Sequence, residues 1–204
     1  MPTPSITATR VDVGSWTLKN PDGCTEHFTY DILKRRYKER EHNCLTYARA
    51  KLRCWDRSID QAVLQRDVVT HQILLPPKAS DLYLNPHSLW TALDEETDWD
   101  GEPHMMAGMT IWFPDLRSQH WAIRQAAAFA QIELADVHGV GVHLVAHAPG
   151  RIAQKADFHI HLLCTARTMT NSGFDAFAQN LLFDGCQSRS KAGWDAWWKA
   201  NPES

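Results

Sequence analysis

No stretch of the 204-residue chain approaches about 18 uninterrupted apolar residues, so no membrane-spanning helix is expected. The first fifteen residues, Met1 to Ser15, lack the apolar core of a signal peptide, and a cytoplasmic location is expected. The five cysteines (Cys24, Cys44, Cys54, Cys164 and Cys186) are odd in number and none stands in a CxxC. That argues against a disulfide framework and against a cysteine zinc site. Internal repeats and low-complexity tracts are absent. An excess of positive charge is absent too: 21 Lys and Arg against 24 Asp and Glu leave −3, which taken alone points away from nucleic acid. The 44% hydrophobic and 22% charged content excludes a disordered tail or a coiled coil. The length fits one domain with a core that buries roughly two-thirds of the unfolded surface.

What the chain does hold is histidine and tryptophan, eleven and nine respectively. Residues 1–26 are polar, with a turn at Asn20-Pro21-Asp22-Gly23, and read as an N-terminal extension or hairpin before a domain over 27–204. Alternation predicts a strand over His27–Leu33, and a breaker-free run predicts a helix over 41–53. Asp67–Leu75 is β-branched and stops at Pro76-Pro77. A short helix is expected around Ser88-Leu89-Trp90 and a strand over Met106–Phe113. In Leu116–Leu134, Ile123, Ala126, Ala127, Ala130 and Leu134 form one helical stripe. Strands over Val140–His147 and Phe158–Thr165 flank a ten-residue connection, and a last helix runs through Trp194–Lys199. The order implies an α+β fold, a mainly antiparallel central sheet with helices packed on one face.

Side chains at i and i+2 of a strand share a face. His159 and His161 therefore point one way, with Phe158, Ile160 and Leu162 on the other, and His143, Val145 and His147 share a face of the preceding strand. Antiparallel pairing brings His147 to His159 and His161. Three imidazoles with open positions suit a catalytic transition-metal site. The same spacing also suits the wet side of a plain sheet, or a zinc hydrolase of carbonic-anhydrase type. A two-histidine phosphoesterase is excluded, because no pair of HxT or HxS motifs is present.

Ala146–Thr168, with AHAPG followed by DFHIHLLCTART, resembles the third motif of MobA/MobL-family relaxases, HUH endonucleases that nick plasmid DNA for conjugative transfer. His147 matches the first histidine and His159 and His161 the pair. Thr165 and Arg167 match a trailing Thr-x-Arg, and Gly173-Phe174 a following Gly-Phe. Met106–Gln131 looks like the family's strand, Leu-Pro turn and long helix, and Ser88–Glu96 like its Leu-Trp helix. Tyr47, twenty residues after His27, matches the nucleophile. The chain departs from the pattern in three places. Asp157-Phe158 replaces Asn-Pro, the arginine after Tyr47 is displaced to Arg49, and an acid common on the strand before the Leu-Pro turn becomes Gly108 or Thr110.

The resemblance implies an HUH-relaxase palm and site-specific cleavage of single-stranded DNA at a plasmid origin of transfer. Tyr47 would form a 5′-phosphotyrosine, and a divalent ion (magnesium or manganese) would sit on His147, His159 and His161. His143 and Asp157 are candidates for a supporting layer. Implied partners are the origin strand, accessory mobilisation proteins and a type IV coupling protein. Tyr30, Tyr37 and Tyr83 are the other tyrosines. Lys34, Arg35, Arg36, Lys38, Arg40, Arg49, Lys51 and Arg53 face only Glu39 and Glu41, a net +6 suited to a phosphate backbone around Tyr47. Residues 81–102 carry −7 in compensation. The other readings are a catalytically weak relaxase-fold DNA-binding accessory protein and an HUH replication initiator.

Overall fold

A computed structural model describes residues 16–19, 24–52, 66–101, 104–183 and 185–202. The Asn20–Gly23 turn and Arg53 lie outside the described residues. The strands are β1 (Thr17–Lys19), β2 (Phe28–Lys34), β3 (Arg36–Tyr37), β4 (Arg40–Glu41), β5 (Val68–Leu74), β6 (His104–Phe113), β7 (Val140–His147), β8 (Phe158–Thr170) and β9 (Gly173–Phe177). The helices are α1 (Cys44–Lys51), α2 (Pro86–Glu96), α3 (Gln119–Phe129), α4 (Gln179–Leu182) and α5 (Cys186–Ala200).

Seven strands form one antiparallel sheet in the order β1-β2-β6-β8-β7-β5, with β9 paired to β8. The α+β architecture with a mainly antiparallel sheet is the one expected. The helices, however, cover both faces instead of one. Trp90 of α2 and Leu52 after α1 lie over the face of His143 and Val145. On the other face, Phe113 meets Trp194 and Trp198 of α5, and Phe129 of α3 meets Trp194 and Trp197. The physical reason is in the strands: all eight residues of β7 are buried, so neither face of the centre tolerates water.

Several elements outrun their sequence signals. β8 continues to Thr170 because β9 returns along it, through a turn in which Gly173 takes φ +121, a conformation L side chains rarely adopt. α5 begins eight residues before Trp194, and α3 winds on into a π-helical stretch, Ala130–Asp136. Within residues 1–26, Thr17–Lys19 pairs with β2 and so joins the sheet.

Arg167 is a tie between elements. It donates to the carbonyls of Phe174, Asp175 and Glu96, and its guanidinium lies over the Phe177 ring. Thr165 Oγ1 donates to the Arg167 carbonyl and accepts from Gly141 N, holding the β7–β8 bulge. Both residues of the trailing Thr-x-Arg thus hold the sheet together.

Tyr30 is also a structural residue. Its ring is 1% exposed and its hydroxyl donates to the Leu181 carbonyl at 2.6 Å. Tyr30→Phe strands that carbonyl, and chemical denaturation should register a loss of about 1–3 kcal/mol. A variant as stable as the parent would contradict this role.

Candidate metal centre

The register of β7 against β8 builds the centre. His147 stands opposite His159, and Val145 opposite His161. The His147 and His159 rings stack at 5.1 Å and 16°, and His161 meets both edge-on at 5.2 and 5.1 Å. One ring nitrogen from each lies within 4.8 Å of the other two, the one such group of metal-capable side chains among the described residues. His147 and His161 are 2% and 9% exposed, and His159 is half-buried.

Each ring has a partner at Nδ1. His147 Nδ1 lies 3.4 Å from the Asp67 carboxylate, His161 Nδ1 2.8 Å from Thr110 Oγ1, and His159 Nδ1 3.0 Å from the Asp157 carbonyl. A carboxylate and a carbonyl only accept, so His147 and His159 carry the proton on Nδ1 and keep a lone pair on Nε2. Three imidazoles so oriented are the donor set of a divalent transition ion, and the residues fit such a group.

Two of these supports bear on the sequence departures. Thr110, at one of the two positions where an acid was expected, faces His161 directly across β6–β8 and bonds it. The buried carboxylate at the cluster is Asp67, 0% exposed at the mouth of β5, its own carbonyl accepting from Ala148 N. Sequence reasoning passed over Asp67 as the opening residue of a strand, because only the β5–β7 pairing brings it to His147. Asp157 does meet His159, through its backbone oxygen.

His143 lies four residues up β7 from His147, roughly 13 Å along an extended strand. Its Nδ1 accepts from Trp90 Nε1 at 3.2 Å, and its Nε2 lies 3.3 Å from His71 Nδ1. Complete burial, helped by His71, pulls its pKa down to about 3.

Tyr47 sits on α1, over the same face of the sheet. The helix start is held from two sides: Asn43 Oδ1 accepts from Thr46 N, and the Asp94 carboxylate of α2 accepts from Cys44 N and Leu45 N at 2.8 and 2.9 Å. The Tyr47 ring is 2% exposed, 6.3 Å from Trp16, with Lys51 Nζ 5.2 Å from its centroid. Burial first, and then the charge of Asp31, push its pKa well above 10. Of the cations around it, Arg36 pairs with Glu41 and Arg35 lies 3.5 Å from Asp100. Lys38 is exposed at a turn where it and Glu39 take positive φ, and Lys34, Arg49 and Lys51 are half-buried. Tyr37 is half-buried on β3, and Tyr83 packs on Phe174.

An antiparallel sheet that gathers three histidines at the ends of two neighbouring strands has the layout of a relaxase palm. The model of the MobA/MobL family matches residues 55–200, and the chain belongs to that family, the plasmid-mobilisation relaxases. The match begins beyond Tyr47. A solved structure titled for the molecular basis of vancomycin resistance transfer in Staphylococcus aureus is similar in fold, with a TM-score of 0.51 and 22% identity over 64% of this chain and 67% of that one. No curated protein matches the chain. Among the described residues no helix is long and apolar enough to cross a membrane.

Two outcomes follow from the geometry. Asp67→Ala should weaken manganese binding by about 10- to 100-fold by calorimetry, since it frees the His147 ring; unchanged affinity would remove Asp67 from the centre. For His143, the folded pKa lies below the unfolded one near 6.5. Its stabilising contribution is thus complete above pH 6.5 and drains away as pH falls toward 3. Denaturation between pH 6.5 and 4 should lose about 1.4 kcal/mol per unit from this group. His143→Gln should flatten the slope by that amount, and equal slopes would refute it.

Proposed function

We propose that the protein is a metal-dependent, site- and strand-specific nickase of single-stranded DNA at a plasmid origin of transfer, with Tyr47 as nucleophile. The observation that carries the reading is the cluster of His147, His159 and His161, each ring turned by its own Nδ1 partner. A divalent ion on these imidazoles would act as a Lewis acid on the scissile phosphate and offset charge on its oxygens. Imidazole donors favour manganese over magnesium, which prefers oxygen ligands and keeps its water.

Tyr47 Oη attacks phosphorus, the P–O3′ bond breaks, and the 5′ side is left esterified to the tyrosine. The phenol loses a proton and the departing 3′ oxygen gains one. One phosphodiester replaces another, so the step is close to thermoneutral and religation can use the same groups. Asp31, whose charge Tyr47 feels, is the carboxylate suited to take the phenolic proton. Lys34, Arg35, Arg36, Lys38, Arg49 and Lys51 would track the phosphate backbone on the α1 side, and Arg53 is assigned to the same role from its place in the sequence. Accessory mobilisation proteins and a coupling protein would act with the nickase in the cytoplasm.

A second reading has its own observation. Tyr47 is 2% exposed and holds its proton strongly, as suits a relaxase fold that binds DNA without cutting it. The two separate in a nicking assay on supercoiled plasmid carrying the cognate origin, with manganese present. Tyr47→Phe should lower nicking by about three orders of magnitude or more while leaving the fold intact. Full nicking by that variant would sink the nucleophile assignment, and strand binding without cleavage by the parent would select the second reading.

A further inference from the structure

Where α3 gives way to the π-helical stretch, a cavity of about 240 Å³ opens between that stretch and α5, on the face of the sheet away from the histidine cluster. Two departures from a regular helix make the room. The π-helical turn is wider than an α-turn, a form that recurs at functional sites, and it brings Glu133 and Leu134 to the wall. Facing it, Gly193 stands inside α5 without a positive φ, where glycine weakens a helix. Sterics do not demand a glycine there. A Cβ would meet nothing closer than Phe129 Cε2 at 3.8 Å, an ordinary contact. What the missing side chain leaves is open space.

The floor is apolar: Phe129, Leu134 and Leu181, each no more than 2% exposed. The rim carries one charge of each sign. Arg189, whose guanidinium donates to the Asn180 carbonyl at 3.3 Å, and Glu133 are both exposed, and among the described residues neither is held in an ion pair. Both act on His138, which shares the wall: burial first, then the charge of Arg189, lowers its pKa, and Glu133 opposes them. We propose that this cavity binds a free α-amino acid with an apolar side chain, its carboxylate on Arg189, its ammonium on Glu133 and its side chain on the apolar floor. Size and charge both point there. The volume is below that of pockets for drug-sized ligands. A lone arginine faced by a carboxylate repels a phosphate backbone as much as it draws one, whereas a zwitterion satisfies both groups. The site therefore stands apart from the nicking reading.

The test is saturation-transfer NMR on the whole chain with L-leucine and two of its analogues, isocaproate, which lacks the ammonium, and isoamylamine, which lacks the carboxylate. Saturable leucine binding with a Kd below about 10 mM is expected. Each analogue should bind at least about 10-fold more weakly, having lost one charge-assisted contact. Gly193→Ala should raise the melting temperature, because alanine suits a helix interior, and yet lower leucine affinity about 10-fold by filling the gap. Arg189→Gln should weaken leucine by a similar factor and leave isoamylamine binding unchanged. No saturable binding, equal binding of leucine and either analogue, or a leucine affinity indifferent to Gly193→Ala overturns the site.

Discussion

Everything at the candidate centre depends on one strand pairing, β7 against β8 in the register that sets His147 opposite His159. Side-chain period in a sheet is two, so a slip of one residue would turn His147 away from the other imidazoles and put Ala146 in its place. The register is held by burial and by a few polar ties. Ile160 and Leu162 seal one face, and Thr165 pins the bulge through Gly141 N and the Arg167 carbonyl. The trailing Thr-x-Arg therefore works at a distance from the histidine cluster: it keeps the far end of β8 from sliding, and so keeps the histidines together.

The charge of the chain acquires a different meaning in three dimensions. The acidic segment over 81–102 does not lie apart from the basic one. Asp94 caps α1, the helix that carries Tyr47, and Asp100 lies beside Arg35. Part of the −7 thus serves to place the helix of Tyr47, and part lies against the basic segment. A carboxylate at a helix N-terminus is favoured by the orphan amides there, which explains an acid packed against the basic segment. At the sheet edge Trp16, just before β1, packs against the buried Tyr47 ring at 6.3 Å.

Much of this was legible from residue order, because it is local. The two histidine strands show period-two alternation, the pairing of neighbours in sequence is antiparallel by default, and Pro76-Pro77 and Pro114 end β5 and β6 where expected. The helices on the second face were not legible: they follow from the unbroken apolar runs of the central strands, which exclude water from either side. Asp67 was invisible for a related reason. A lone aspartate opening a strand has no periodic signature, and its role arises from contact with a residue eighty positions away.

By itself, then, the sequence determined the chemistry available: three imidazoles on one face of two strands, few tyrosines to choose among, and cations clustered by one of them. Those are properties of spacing along a backbone whose periods are set by sterics. Tertiary structure alone decided what surrounds them. It supplied Asp67 and Thr110 as the groups that turn the rings, removed His143 to a buried contact with Trp90 and His71, and buried Tyr47 beside Asp31. Hydrogen-bond partners and desolvation are set by contacts between distant segments, and no local pattern encodes them.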